Sequence, residues 1–246
     1  MGASMSTSIA LLFQMLIYQA SCFAVMAMQQ QSSITPQQLV SRGTTAFKQG
    51  HIEESIKLFD EALEKEPRLS PYLWQRGLSL YYAERFQEGA LQFRRDVMVN
   101  PNDTEEAVWC ALCEAQLNGF GKDPILTVGK DPRPVMRSVY DLFAGRVTEA
   151  QVAQAGLDNK QVGQFYAALY LGLYAEVRGE QDKARHYILN AVNSPYGSRS
   201  SDYMAALAQV RNSTDMAVQL PLTLTLPPPM LLRKVHAQLR GWKKAA

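Results

Sequence analysis

The chain has 246 residues, 47% hydrophobic and 20% charged, an ordinary globular composition that excludes wholesale disorder. Its formal net charge of +2, from 25 basic and 23 acidic residues, argues against a whole-protein nucleic-acid footprint, and no specific nucleic-acid binding is expected. The charge is segmental: no acid follows Asp215, and the end of the chain carries Arg233, Lys234, Arg240, Lys243 and Lys244.

The first 41 residues contain no charged side chain. Ile9–Met28 is about as long as a membrane-spanning helix, but an apolar run over Ile9–Tyr18 followed by small residues reads as a secretory signal. Residues 1–28 are therefore expected to be a signal peptide, cleaved after Cys22 or Ala27, with a retained membrane anchor as the competing reading. The string Ala20-Ser21-Cys22-Phe23-Ala24-Val25 resembles the junction of bipartite plastid-targeting leaders, which would extend the leader to about residue 35. Entry into the secretory route, attachment to a membrane or delivery to a plastid is the expected location.

From residue 36 a period of 34 emerges, because Gly43, Phe59 and Pro67 recur as Gly77, Phe93 and Pro101. A third copy places Gly172, Gly179, Ala184, Ala191 and Pro195 at or next to the same positions. The second copy has Asp96 where the first has Ala62. With helical periodicity throughout and no alternating strand-like runs, this spacing predicts an all-α fold, a tetratricopeptide (TPR)-type solenoid of paired antiparallel helices. The repeats fall at 36–69, 70–103 and 165–198 within a domain over 36–211, and 104–164 is divergent.

Thr104–Gly119 reads as one helix with Thr104 as its N-cap, and it contains Trp109-Cys110-x-x-Cys113. A redox motif of that form follows a strand and places its first thiolate at a helix N-terminus. Here "NPNDTEEA" precedes it, and Glu106 and Glu114 would raise a thiol pKa. Packing is the expected role of Cys110 and Cys113, and a thiol-active protein is the alternative class. The "GFGKDP" at 119–124 lacks the Ser or Thr of a phosphate loop, and Gly129-Lys-Asp-Pro132 repeats its end as a second turn. His51, His186 and His236 form no metal-ligand spacing, so no metal, cofactor or catalytic residue is expected.

In such a stack the first helix of each repeat lines the concave face. By repeat position the partner-binding residues are Phe47, Lys48, Trp74, Leu78, Tyr81, Tyr82, Tyr166 and Leu173, beside Val40, Thr44 and Leu169. Aromatic residues there suit an extended or helical peptide, unless a second subunit or the chain's own tail already covers them. Val40, Thr44 and Gln75 stand where carboxylate-clamp repeats need Lys and Asn. At 220–246 a Pro227-Pro228-Pro229 spacer leads to Leu232, Val235, Leu239 and Trp242 at helical spacing with basic residues between them. That is a cationic amphipathic helix able to contact an anionic membrane or an acidic partner.

The order of elements also resembles bacterial NlpI-type TPR lipoproteins, through "QRGLSLYYAERFQEGALQFRRD", the "NPND" turn, "DLFAGRVTEAQV" and "YLGLYAEVRGEQDKA" between about Leu39 and Arg211. The resemblance implies a non-enzymatic adaptor that binds a protein partner, often as a homodimer, and in a bacterium a place in the cell envelope. It supplies no catalytic residue. Gln19-Ala20-Ser21-Cys22 departs from the lipobox of that family, which expects Leu three places before the cysteine.

Overall fold

The computed structural model describes residues 14–19 and 34–219, with side chains as far as 213, and the described residues are helical without any strand. Helices α1 (Pro36–Lys48) and α2 (Ile52–Lys65) are followed by a 3-10 turn over Pro67–Tyr72. Then come α3 (Trp74–Tyr82), α4 (Phe86–Val99), α5 (Thr104–Asn118), α6 (Pro134–Phe143), α7 (Glu149–Asp158) and α8 (Lys160–Val177). The last three are α9 (Gln181–Asn193), α10 (Pro195–Arg199) and α11 (Tyr203–Gln219). The final helix thus passes the expected domain limit at 211. Residues 14–19 are helical and exposed, whereas the rest of the expected leader and the basic tail over 220–246 lie outside the described residues. No described helix is long and apolar enough to cross a membrane.

Local chemistry sets the helix starts. Thr35 with Gln38, and Thr148 with Gln151, form capping boxes that satisfy free N–H groups at the starts of α1 and α7. At α5 the cap is Asp103, whose carboxylate accepts from Glu105 N at 2.9 Å. Thr104, expected as the cap, is instead the first helical residue, and its N–H and hydroxyl both donate to Asp131 Oδ2.

Three helix pairs share one contact. A Cβ on Gly43 would lie 2.8 Å from Phe59, one on Gly77 2.6 Å from Phe93, and one on Gly172 2.8 Å from Ile188. In each case the glycine of the first helix receives the large residue 16 positions later on the second. The turns between these helices also match. The N–H groups of Gly50, Glu84 and Gly179 donate to Phe47, Tyr81 and Glu176 carbonyls, and the next N–H in each turn reaches back one residue further. This is a Schellman motif with its left-handed residue at φ of 79°, 62° and 77°. The segment read as divergent contains a fourth such turn between α6 and α7, with Gly145 donating to Leu142 and Arg146 to Asp141. The close approach after it lies between α7 and α8, where a Cβ on Gly156 would fall 2.6 Å from Ala167 Cβ.

The described helices curl until the start of α11 meets α1. Lys48 Nζ on α1 donates to the Ser201 carbonyl at 2.9 Å, and the Phe47 and Tyr203 rings stack with centroids 5.0 Å apart. One continuous core runs from the second pair through α5, α6 and α8 to the start of α11, with Trp109, Met136, Tyr170 and Leu207 among its buried side chains.

Gly77→Leu forces a side chain against Phe93, and overpacking of this kind costs about 1–3 kcal/mol. Thermal melting should show that loss, while Lys130→Ala, on an exposed connector residue, should melt like the wild type. Glu84 holds a left-handed φ of 62° that glycine occupies in the other two pairs. Relieving it with Glu84→Gly should raise stability by about 1 kcal/mol in denaturant titration.

Candidate functional site

The residues expected on a concave face come together, and most of them are wholly or partly buried. Phe47, Leu78, Tyr81 and Leu173 are buried. Trp74, Tyr82 and Tyr166 are partly buried, and Lys48 is exposed but engaged with Ser201. The physical reason is the return of α11. Tyr203 stacks on Phe47, meets Trp74 edge-on at 5.1 Å and carries the Lys48 ammonium 5.8 Å above its ring. The open aromatic groove of the sequence reading is therefore a covered one, and the cover comes from residues 201–204 of the same chain.

What is left open is a cavity of about 250 Å³ beside that cover. Three of the expected residues, Trp74, Leu78 and Tyr166, line it, with Phe93, Trp109 and Met204 completing the apolar wall. Sequence reasoning missed its polar wall: Asp103, Glu105, Glu106 and Asp202, with Arg133 as the single cation among the described residues. Glu106 enters the sequence reading only as a neighbour of the cysteine motif. Arg133 and Asp202 sit in connectors and reach the site through turns that carry no periodic signal.

The polar wall is held from behind. Arg133 donates to Glu105 Oε2 at 2.6 Å, to Asp103 Oδ1 at 2.8 Å and to both oxygens of Asp131. Burial alone would raise Asp131, but the hydrogen bonds from Arg133 and Thr104 hold its carboxyl below the usual range. Glu105 Oε1 accepts from the Tyr170 hydroxyl at 2.6 Å, and Tyr170 in turn accepts from Trp109 Nε1 at 3.0 Å. Asp202 Oδ2 accepts from both Tyr166 and Tyr196, at 2.9 and 2.7 Å.

Two carboxylates are not satisfied in this way. Glu106 is 8% exposed and its Oε2 has no hydrogen-bond partner among the described residues. Burial, and then the charges of Asp103 and Asp96, push its pKa up to about 8. Asp96, the residue that replaces alanine in the second repeat, is fully buried, with Oδ1 bonded to Gln92 and Oδ2 unpartnered. Burial pushes it up to about 7 despite that bond.

The thiols occupy a different environment. Cys110 and Cys113 are free and fully buried, and Cys113 Sγ would lie 2.9 Å from a Cβ on Gly89. Burial, followed by the Glu114 carboxylate, pushes Cys110 up to about 12, and burial raises Cys113 as well. A thiolate nucleophile needs the opposite setting, exposed and electropositive. His51 and His186 are exposed, and His236 lies outside the described residues. Among the described residues no group of three or more His, Cys, Asp or Glu side chains is arranged to hold a metal ion. No protein-family model matches the chain.

The raised carboxyls give stability a definite pH dependence. Unfolded Asp and Glu titrate near pH 4, so between about pH 4 and 8 the native state binds the extra protons of Asp96 and Glu106. Their contribution is complete below the unfolded values and is lost as pH rises through about 7 and 8. Asp131 acts in the opposite sense, its contribution being lost as acid protonates it. From these groups melting temperature should therefore be highest near pH 4 and fall progressively toward pH 8.5. Asp96→Asn should flatten the alkaline decline, which scanning calorimetry across that range measures.

Proposed function

We propose that this protein is a non-enzymatic TPR-type adaptor that holds a protein partner at the mouth of the cavity on its inner face. The recurrence of one glycine–large-residue contact and one Schellman turn in three helix pairs supports the repeat reading. For partner binding, the carrying observation is that Trp74 and Tyr166 are partly exposed where the α11 cover ends, beside a cavity with both aromatic and charged walls. Such sites bind side chains well, because an aromatic anchor loses little entropy and the polar groups fix orientation. The alternative of a thiol-active protein finds no support in two buried cysteines whose thiols are held protonated.

Delivery to or across a membrane by the N-terminal segment, to a plastid or a bacterial envelope, belongs to the same proposal on the sequence grounds given above. So do a membrane contact through the basic tail and a homodimer.

The experiment is a comparison of captured proteins. Protein purified from its native source should retain a reproducible, near-stoichiometric partner, identified by mass spectrometry. Trp74→Ala with Tyr166→Ala should reduce capture at least tenfold, since aromatic anchors contribute about 2 kcal/mol or more apiece. The Cys110→Ser, Cys113→Ser double variant should still capture it. Loss of capture in the cysteine variant, with retention in the aromatic one, would overturn the adaptor reading.

A further inference from the structure

The cavity beside Trp74 has an uneven charge balance. Among the described residues Arg133 is the only cation in its wall, and its guanidinium already serves Asp103, Glu105 and Asp131. Asp202 and Glu106 add two more carboxyl groups. Asp202 is satisfied by two phenols and the Met204 N–H. Glu106 is different: more than nine-tenths buried, lining the cavity, and with Oε2 unpartnered. A buried carboxyl oxygen without a partner costs free energy, which a hydrogen-bond donor in the cavity recovers when the Glu106 carboxyl turns toward it.

The other walls narrow the chemistry of that donor. Trp74, Trp109 and Tyr166 present aromatic surface, which attracts a cation over its face. At about 250 Å³ the space is below the range of drug-sized ligand sites and suits a single side chain. An anion is disfavoured by the carboxylates, and a neutral apolar group would leave Glu106 unsatisfied. We infer that the cavity is a binding site for one alkylguanidinium or alkylammonium group, with Glu106 as its hydrogen-bonding counter-ion and Trp74, Trp109 and Tyr166 as its aromatic walls. For a protein partner, an Arg or Lys side chain on a basic segment, this rests on the adaptor reading; binding of the small cation itself does not.

Binding is coupled to a proton. In the free cavity Glu106 is largely protonated at neutral pH, since burial and the charges of Asp103, Asp96 and Glu105 oppose its ionisation. An entering cation stabilises the carboxylate, so the proton leaves to solvent and affinity rises with pH. The groups around this equilibrium are Asp96 on α4, Asp103 and Glu105 at the start of α5, and Arg133 before α6. Tyr166 and Tyr170 on α8 and Asp202 before α11 complete it, while α3 lines the cavity only with Trp74 and Leu78.

The test titrates the full-length protein with n-butylguanidinium chloride at constant ionic strength, using N-butylurea as the neutral isostere. Calorimetry gives the affinity, and fluorescence from Trp74 and Trp109 reports the site. Saturable binding at least tenfold tighter for the guanidinium, strengthening from pH 6.5 to pH 9, is the expected result. Glu106→Gln should weaken it at least tenfold without lowering the melting temperature. Equal affinity for the urea, or wild-type affinity in Glu106→Gln, would overturn the inference, and the first comparison needs no variant. A chain with Arg233, Lys234, Arg240, Lys243 and Lys244 all changed to Gln distinguishes the sources of the cation. Tighter binding in that chain identifies the protein's own tail as an occupant, and unchanged binding points to a separate basic molecule. Absence of binding in both chains overturns the site. If butylguanidinium binds while the aromatic variant still captures its partner, the cation site stands and the placement of the partner at this cavity falls. If capture needs Trp74 and Tyr166 but urea and guanidinium bind alike, the reverse holds.

Discussion

The hydrogen-bond chain from Trp109 through Tyr170 and Glu105 to Arg133 ties together segments that are far apart in sequence, and the rest of the molecule is arranged around it. The Trp109 indole lies against Tyr81 and Phe93 of the second helix pair and Tyr170 of the late pair, with ring centroids 5.2 to 6.3 Å away. Its N–H is buried and must find an acceptor, and Tyr170 supplies one only if α8 lies across α5 at that level. Tyr170 then donates to Glu105, which also receives Arg133, so the connector ahead of α6 is fixed by the same chain. Such networks are worth most when every member is satisfied, and here the Asp131 carboxylate completes the Arg133 end.

Around that centre, the repeat positions show what a helix pair demands and where the demand is relaxed. The glycine facing a large residue is kept in all three pairs, because backbones at that distance leave no room for a Cβ. The left-handed turn is kept in geometry but not in residue type, with Glu84 accepting a backbone that glycine adopts more easily. The alanine of the second helix becomes Asp96 in the middle pair, adding a buried acid close to Glu106 in electrostatic terms. Both departures fall in the pair that forms the floor of the cavity through Trp74, Leu78 and Phe93.

The start of α11 determines how much of the aromatic stripe is accessible. Tyr203 occupies the space between Phe47 and Trp74 that an incoming aromatic side chain would take. Asp202, one residue earlier, is drawn to the Tyr166 and Tyr196 hydroxyls, and this fixes the approach angle of α11. The cavity exists because the cover stops at Met204, short of the acids at the start of α5. Closure and the charged opening are thus consequences of one placement.

Helix content and the glycine contacts were legible in the sequence, because each depends on residues within one 34-residue period. The fate of Cys110 and Cys113 was legible too, since their depth within a helix and the neighbouring Glu114 are local facts. The fourth turned hairpin at Gly145 was not, because its close approach moves to Gly156 and Ala167, outside the repeat register. Nor could the sequence separate exposed from buried members of the aromatic stripe: Phe47 and Trp74 share a repeat face, and only the return of Tyr203 buries the first and leaves the second partly open. Arg133, Glu106 and Asp202 come together across α5, a connector and the entry to α11. Their meeting depends on the long-range docking of α5 on α8 and of α11 on α1, which no local pattern encodes. The sequence by itself determined which helices form and how neighbours pair, through short-range sterics; the tertiary structure decided which face closes and where its acids converge, through contacts distant in the chain.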